Sequence, residues 1–289
     1  MKLATLRLND SERLALVDGN ELVVPDCADL PKTMGALLKN PQRELDKIRD
    51  MLATAGSNAA RRIPLNEAEF LPPVPAPSKI VAIGLNYHGH AQEVGADQPS
   101  APIIFAKFPS SLIGAGEEIS WRESQTARVD YEAELAVVIG RTARNVPKED
   151  APSYILGYTC ANDISARDLQ FGDEQWTRGK SLDTFCPMGP WIVTPDELAD
   201  PMRLQISCTV NGQTVQQSST GDMFFDVNAI LSYCSQHFTL SPGDVILTGT
   251  PGGVGEFRTP QRLLASGDVV TVSIEGIGIL TNRCKILAE

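Results

Sequence analysis

The chain of 289 residues contains no run of 18 apolar residues, so no membrane-spanning helix is expected. It is short of positive charge, with 25 Lys and Arg against 36 Asp and Glu, a formal net charge of −11. That balance argues against a nucleic-acid partner and against an anionic membrane surface. It says little about small molecules. Histidine is scarce, at three residues, and none is spaced with the six cysteines as a zinc site requires. The cysteines (27, 160, 186, 208, 234 and 284) show no CxxC pattern and mostly sit beside apolar residues. They read as buried free thiols in a reducing compartment. The first residues, Met-Lys-Leu-Ala-Thr-Leu-Arg-Leu, alternate and carry charge, which suits a first strand and not a signal peptide. A cytoplasmic location is expected. There is no internal repeat, no low-complexity tract and no glycine pattern of a nucleotide site.

What is present begins with Val-Asp-Tyr-Glu-Ala-Glu-Leu-Ala-Val-Val-Ile-Gly at 129–140. Residues 135–139 are apolar and mostly β-branched, the composition of a buried strand. With a side-chain period of two, Asp130, Glu132, Glu134, Ala136 and Val138 would share one face. Three carboxylates then lead into an apolar strand. Close like charges repel, and burying any of them unpaired costs several kcal/mol. A divalent cation would neutralise them, because hard cations take carboxylate oxygens. The alternative is a strand end whose acids meet solvent, Arg or Lys.

Ahead of this stretch, residues 1–70 read as a small α/β lead domain. It has a first strand, a hairpin turning at Asp18-Gly19, and helices near 30–38 and 44–53 separated by Pro41. Leu45, Ile48 and Leu52 would line one helix face. Residues 71–78 hold four prolines, and read as a stiff extended linker. Residues 79–289 follow as the main domain. Strands are expected near 79–84, 103–106, 157–163, 191–193, 204–210, 214–216, 245–248, 269–274 and 279–287. A short helix is expected at 151–156, a polar excursion at 171–178, and a helix from Val227 to about His237 capped by Asp226. Asn211-Gly212 is a hairpin signal. Residues 249–255 carry four glycines, which would let backbone approach a ligand.

Two strand ends carry chemistry-bearing residues. After 79–84 come His90 and Glu93, neighbours on one helical turn. A carboxylate beside an imidazole fixes its tautomer, as a general base requires. Two such residues on a surface helix would do the same without function. After 157–163, Asp163 is followed by Arg167, Asp168 and Gln170. His237 reads as structural.

Five ordered motifs give the chain a resemblance to the fumarylacetoacetate hydrolase family: 84–93 (Gly-Leu-Asn-Tyr-x-x-His-Ala-x-Glu), 130–135 (Asp-Tyr-Glu-Ala-Glu-Leu), 162–170 (Asn-Asp-Ile-Ser-Ala-Arg-Asp-Leu-Gln), 179–190 (Gly-Lys-Ser-Leu-Asp-Thr-Phe-Cys-Pro-Met-Gly-Pro) and 248–255 (Thr-Gly-Thr-Pro-Gly-Gly-Val-Gly). The first 70 residues resemble the variable lead domain of one bacterial branch. The resemblance implies an α+β fold, a mixed β-roll of curved sheets with few helices, usually as a homodimer. It implies a metal, Mg²⁺ with Mn²⁺ or Ca²⁺ as substitutes, held by Glu132, Glu134 and Asp163, with Asp130 not a ligand. It places Lys180 beside the metal, Arg167, Gln170 and Thr250 at the substrate, and His90 with Glu93 as a water-activating dyad.

A 2-oxo acid can chelate such a cation, which then stabilises an enolate. The first expectation is therefore a hydrolase cleaving a C–C bond of a small-molecule 2,4-dioxo acid: an acylpyruvate, fumarylpyruvate or diketo-deoxy sugar acid. An oxaloacetate decarboxylase or a 2-oxo-acid tautomerase would use the same metal and enolate without an attacking water. A metal-binding protein without turnover is the third reading.

Overall fold

The structure, a computed structural model, describes residues 1–54 and 60–288, with no side-chain description at 52–54 and 60. The fold is α+β, built on mixed open sheets. The main path of the larger sheet runs Ala60–Pro64, Glu21–Pro25, Ser11–Asp18, Lys2–Leu8, Cys186–Val193, Ile155–Asn162, Ala133–Ile139, Val245–Leu247, Ile80–Gly84 and Ile103–Lys107. A short strand, Leu112–Ile113, joins Cys186–Val193 in parallel off this path. A five-stranded sheet runs Gln213–Ser219, Gln205–Val210, Val269–Ile274, Gly278–Ile286 and Glu118–Trp121. It packs across Ala133–Ile139 and Ile155–Asn162.

Both faces of Ala133–Ile139 are covered, which is why it reads as an unbroken apolar run. Leu135, Val137 and Ile139 enter the main core, whereas Ala136 and Val138 join clusters on the other face. The period-two expectation therefore holds for Glu134, Ala136 and Val138. It fails upstream. The strand is interrupted at Tyr131 and Glu132, and Asp130 belongs to a separate two-residue strand, Val129–Asp130, paired with Ser165–Ala166. Asp130 is thus not carried on the same continuous face as Glu132 and Glu134.

The helix Val227–His237 forms with Asp226 Oδ1 accepting from Ala229 N at 2.7 Å. Asn211 and Gly212 take the left-handed conformations that a tight hairpin needs. The helix expected at 44–53 begins on Pro41, which suits a first-turn position because no amide hydrogen is needed there. Leu45 and Ile48 are buried on it, and the side chain of Leu52 lies outside the described residues. The helix expected near 30–38 is one turn, Met34–Leu37. The stretch at 151–156 lies largely in a 3-10 helix, Lys148–Tyr154. The polar excursion at 171–178 is instead mostly helical, in Arg167–Asp173 and Trp176–Lys180, hinged at Glu174 with φ +56°. The proline-rich stretch is packed: Thr5 Oγ1 donates to Pro73 O at 2.8 Å, and Val74 is buried. Five of the six cysteines are buried free thiols, and Cys27 is exposed.

The lead segment continues the larger sheet. Lys2 and Leu3 pair with Val193 and Ile192, and Leu3, Leu16 and Ile48 share one apolar cluster with Val138, Leu156 and Ile192. Deleting residues 1–70 bares those three side chains and the edge of Cys186–Val193. We expect the truncated protein to melt at least about 5 °C lower. A calorimetric scan showing an unchanged Tm would establish that residues 79–289 are stable without it.

Candidate active site

Antiparallel pairing sets Ala133 opposite Asn162 and Glu134 opposite Ala161, so the residues just outside that ladder, Glu132 and Asp163, meet at one end. Asp163 N donates to Glu132 O at 2.8 Å, and the Asn162 side chain accepts from Glu132 N at 2.9 Å. The ligand oxygens of Glu132, Glu134 and Asp163 all lie within 4.8 Å of one another, and all three residues are buried.

Three buried cations face them. Lys180 Nζ lies 2.8 Å from both Glu132 Oε2 and Asp163 Oδ2. Arg167 Nη1 lies 2.8 Å from Glu132 Oε1. Lys107 Nζ lies 2.6 Å from Asp163 Oδ1 and also donates to the carbonyls of Ile164 and Lys180. Burial pushes the Glu132 carboxyl up, but Lys180 and Arg167 outweigh it and hold Glu132 down at about 2. Burial likewise opposes the Lys180 ammonium, yet Asp163 and Glu132 raise it above the usual lysine value.

Glu134 differs. It accepts from Gly249 N at 2.6 Å, and among the described residues it makes no ion pair with Lys or Arg. Burial first, then the charges of Asp163 and Glu132, push its carboxyl well above the ordinary glutamate range. Counting Asp130 with the triad, four buried carboxylates meet three buried cations, and the excess negative charge falls on Glu134. An all-oxygen, charge-deficient cradle fits a hard divalent cation.

His90 sits on the helix His88–Val94, with Nδ1 3.2 Å from Glu93 Oε2. Gly253 N donates to both Glu93 oxygens, at 3.0 and 3.1 Å. A cavity of about 190 Å³ brings His90 together with Glu132, Arg167, Gln170, Lys180 and Thr250 on its polar side. Phe171, Trp176 and Phe257 contribute to its apolar side. Glu93, Glu134 and Asp163 adjoin this wall through their partners. Gln170 Oε1 accepts from Arg167 at 2.9 Å. Thr250 Oγ1 donates to Ala133 O at 3.0 Å and accepts from Gln216 at 2.8 Å. His237 lies apart, its Nδ1 against Tyr233 O.

Sequence reasoning passed over Lys107, Trp176 and Phe257. Lys107 ends an otherwise apolar strand, Ile103–Lys107, and a lone lysine in that position is the one signal that could have marked it. The glycine-rich loop also does something other than expected. Its amides grip side chains of the site: Gly249 holds Glu134, and Gly253 holds Glu93.

A profile described as "Fumarylacetoacetate (FAA) hydrolase C-terminal" matches residues 79–285. The chain belongs to the fumarylacetoacetate hydrolase family. Among relatives, this family member is 44% identical over 256 residues to the mitochondrial oxaloacetate tautomerase FAHD2A of Bos taurus, covering 88% of this chain and 80% of the relative. It matches the 5-carboxymethyl-2-hydroxymuconate delta-isomerase structure from Mycobacterium smegmatis at 37% identity and TM-score 0.79, covering all of both chains. It also matches maleylpyruvate hydrolase from Sphingobium sp. SYK-6, in complex with manganese(II) ion and pyruvate, at 32% identity and TM-score 0.80, again covering all of both chains. Enzymes of the family thus include a tautomerase, an isomerase and a hydrolase. Among the described residues no helix is long and apolar enough to cross a membrane.

Glu134→Gln should cost more Mn²⁺ affinity than the 10–100-fold that outer partners of a metal site typically carry. Isothermal titration measures it. The same variant should raise the Tm of the metal-free protein at pH 7. A carboxyl raised in the folded state favours folding at low pH, and that contribution is lost as pH rises from its unfolded value, about 4.3, towards its folded one. Glutamine removes that loss, so the stability difference between variant and wild type should shrink below about pH 4.

Proposed function

We propose that this chain is a divalent-metal-dependent enzyme of 2-oxo acids whose reaction is a proton shift between C3 and the 2-oxo oxygen, a keto–enol tautomerisation of the oxaloacetate type. The observation that carries this reading is the His90–Glu93 pair, at 3.2 Å, in one cavity with Glu132, Arg167 and Lys180. A proton-transfer pair beside concentrated positive charge is sufficient for that shift. The 44% identity to a tautomerase supports placing it ahead of the C–C hydrolysis expected first.

Glu132, Glu134 and Asp163 would hold the cation. Bound there, Mg²⁺ or Mn²⁺ would supply positive charge to the 2-oxo group and favour its enolate. Glu93 accepts a hydrogen bond from His90 Nδ1–H, which leaves the Nε2 lone pair as the base. Nε2 takes a proton from C3. The C–H electron pair becomes the C2=C3 bond, and the carbonyl π pair moves onto oxygen. Lys180 and Arg167 face that developing charge. The oxygen then takes up a proton from solvent, and His90 releases its own. Gln170 and Thr250 line the wall where the substrate's polar groups would rest. A homodimer is the proposed assembly, supported by exposed Ile103, Ile104 and Phe108 at or beside the edge strand Ile103–Lys107.

A second reading is hydrolysis of a 2,4-dioxo acid, supported by the same dyad and by the likeness to maleylpyruvate hydrolase. Here His90 would take a proton from water as the oxygen attacks C4. The C3–C4 bond breaks, its pair leaves as the enolate of a 2-oxo acid, and C3 is then protonated.

The two separate by assay with Mn²⁺ supplied. Decay of the enol absorbance of oxaloacetate reports the first, and pyruvate release from acetylpyruvate the second. His90→Ala should lower kcat by about 10²–10⁴-fold on the true substrate. Its Mn²⁺ affinity should change less than the tenfold typical of an outer partner. Absence of turnover of any 2-oxo acid by the metal-loaded wild type would leave only a metal-binding protein.

A further inference from the structure

Asp130 is fully buried, does not line the cavity and is outside the three-carboxylate cluster, yet it is the most heavily partnered acid near the site. Its Oδ1 accepts from Tyr131 N and Gly255 N, both at 2.8 Å. Its Oδ2 accepts from Glu256 N and Arg167 Nε, both at 2.9 Å, with Arg167 Nη2 at 2.8 Å. Three backbone amides pin the carboxylate in place. Gly255 makes this approach possible, since a Cβ there would lie 2.6 Å from Asp130 Oδ1.

The guanidinium of Arg167 therefore lies between two carboxylates. One edge rests on Asp130, and the remaining nitrogen, Nη1, reaches Glu132 Oε1 at 2.8 Å. Lys180 already occupies the other oxygen of Glu132. Both oxygens of that carboxylate thus meet cations of the chain, and had Arg167 no second anion, its whole charge rather than a shared part would act on Glu132. We infer that Asp130 is a positioning residue that draws Arg167's charge away from Glu132 and so keeps Glu132 available to a divalent cation. This rests on reading Glu132, Glu134 and Asp163 as the cation site.

The test is Mn²⁺ binding by isothermal titration on the intact chain, with folding verified by circular dichroism. Asp130→Asn keeps the shape and removes the charge. Its Mn²⁺ Kd should rise about tenfold or more. Arg167→Met added to that variant removes the competing cation, and should restore most of the lost affinity, a coupling that a clamp serving only the loop would not show. Unchanged affinity in folded Asp130→Asn, or no recovery in the double variant, overturns the inference. If the single variant does not fold, the double variant decides alone: a Kd near wild type supports the inference, and a loss of about tenfold or more overturns it. Failure of the wild type itself to bind Mn²⁺ would instead remove the underlying cation site.

Discussion

Four buried carboxylates against three buried cations is the constraint on which the site depends. Charges out of water interact strongly, and one left unbalanced is costly. The chain distributes the balance unevenly. Asp130 has Arg167, Asp163 has two lysines, and Glu132 shares Lys180 and Arg167. Among the described residues Glu134 is left with a single backbone amide. That unevenness turns a dense polar core into a place where an added cation is favourable, and it determines which oxygen is least satisfied before one arrives.

The framework that holds these charges is mostly sheet. Adjacent strands carry Glu134 and Asn162 in one ladder, and Glu132 and Asp163 sit just past its end, joined by the Asp163 N–Glu132 O hydrogen bond, so their approach follows from the register. The short helices Arg167–Asp173 and Trp176–Lys180 then bring two of the three cations down onto it. Lys107 comes from the end of the sheet's edge strand. A charge cluster assembled from four parts of the chain cannot form before the sheet does.

Much of this was legible in the residues. The apolar run at 135–139, the capped helix at Val227–His237 and the Asn211-Gly212 hairpin are local signals with local causes, and each appears as read. The residues chosen from the motifs converge: His90, Glu132, Arg167, Gln170, Lys180 and Thr250 line one cavity. What was not legible was long-range. Alternation alone put Asp130 on the face of Glu132, because a break at Tyr131–Glu132 has no composition signal. Lys107 looked like an ordinary strand-ending lysine until its partner, 56 positions away, was in place. The proline-rich stretch at 71–78 read as a stiff extended linker, and its hydrogen bond to Thr5 could not be read because it depends on a strand far upstream in the sequence.

One loop holds three acids in and beside the site through its backbone. Gly249 holds Glu134, Gly253 holds Glu93, and Gly255 with Glu256 holds Asp130. Amide donors belong to the main chain, so a substitution alters them only where the backbone must shift, as at Gly255, or where proline removes the N–H. The cavity's apolar wall, by contrast, is made of side chains such as Phe171, Trp176 and Phe257. The molecule therefore separates two inheritances. Placement of Glu134, Glu93 and Asp130 is written in the main chain, and the shape of the cavity's apolar wall is written in side chains. A substitution at Phe171, Trp176 or Phe257 would reshape the cavity wall without removing any of the hydrogen bonds that place Glu134, Glu93 and Asp130.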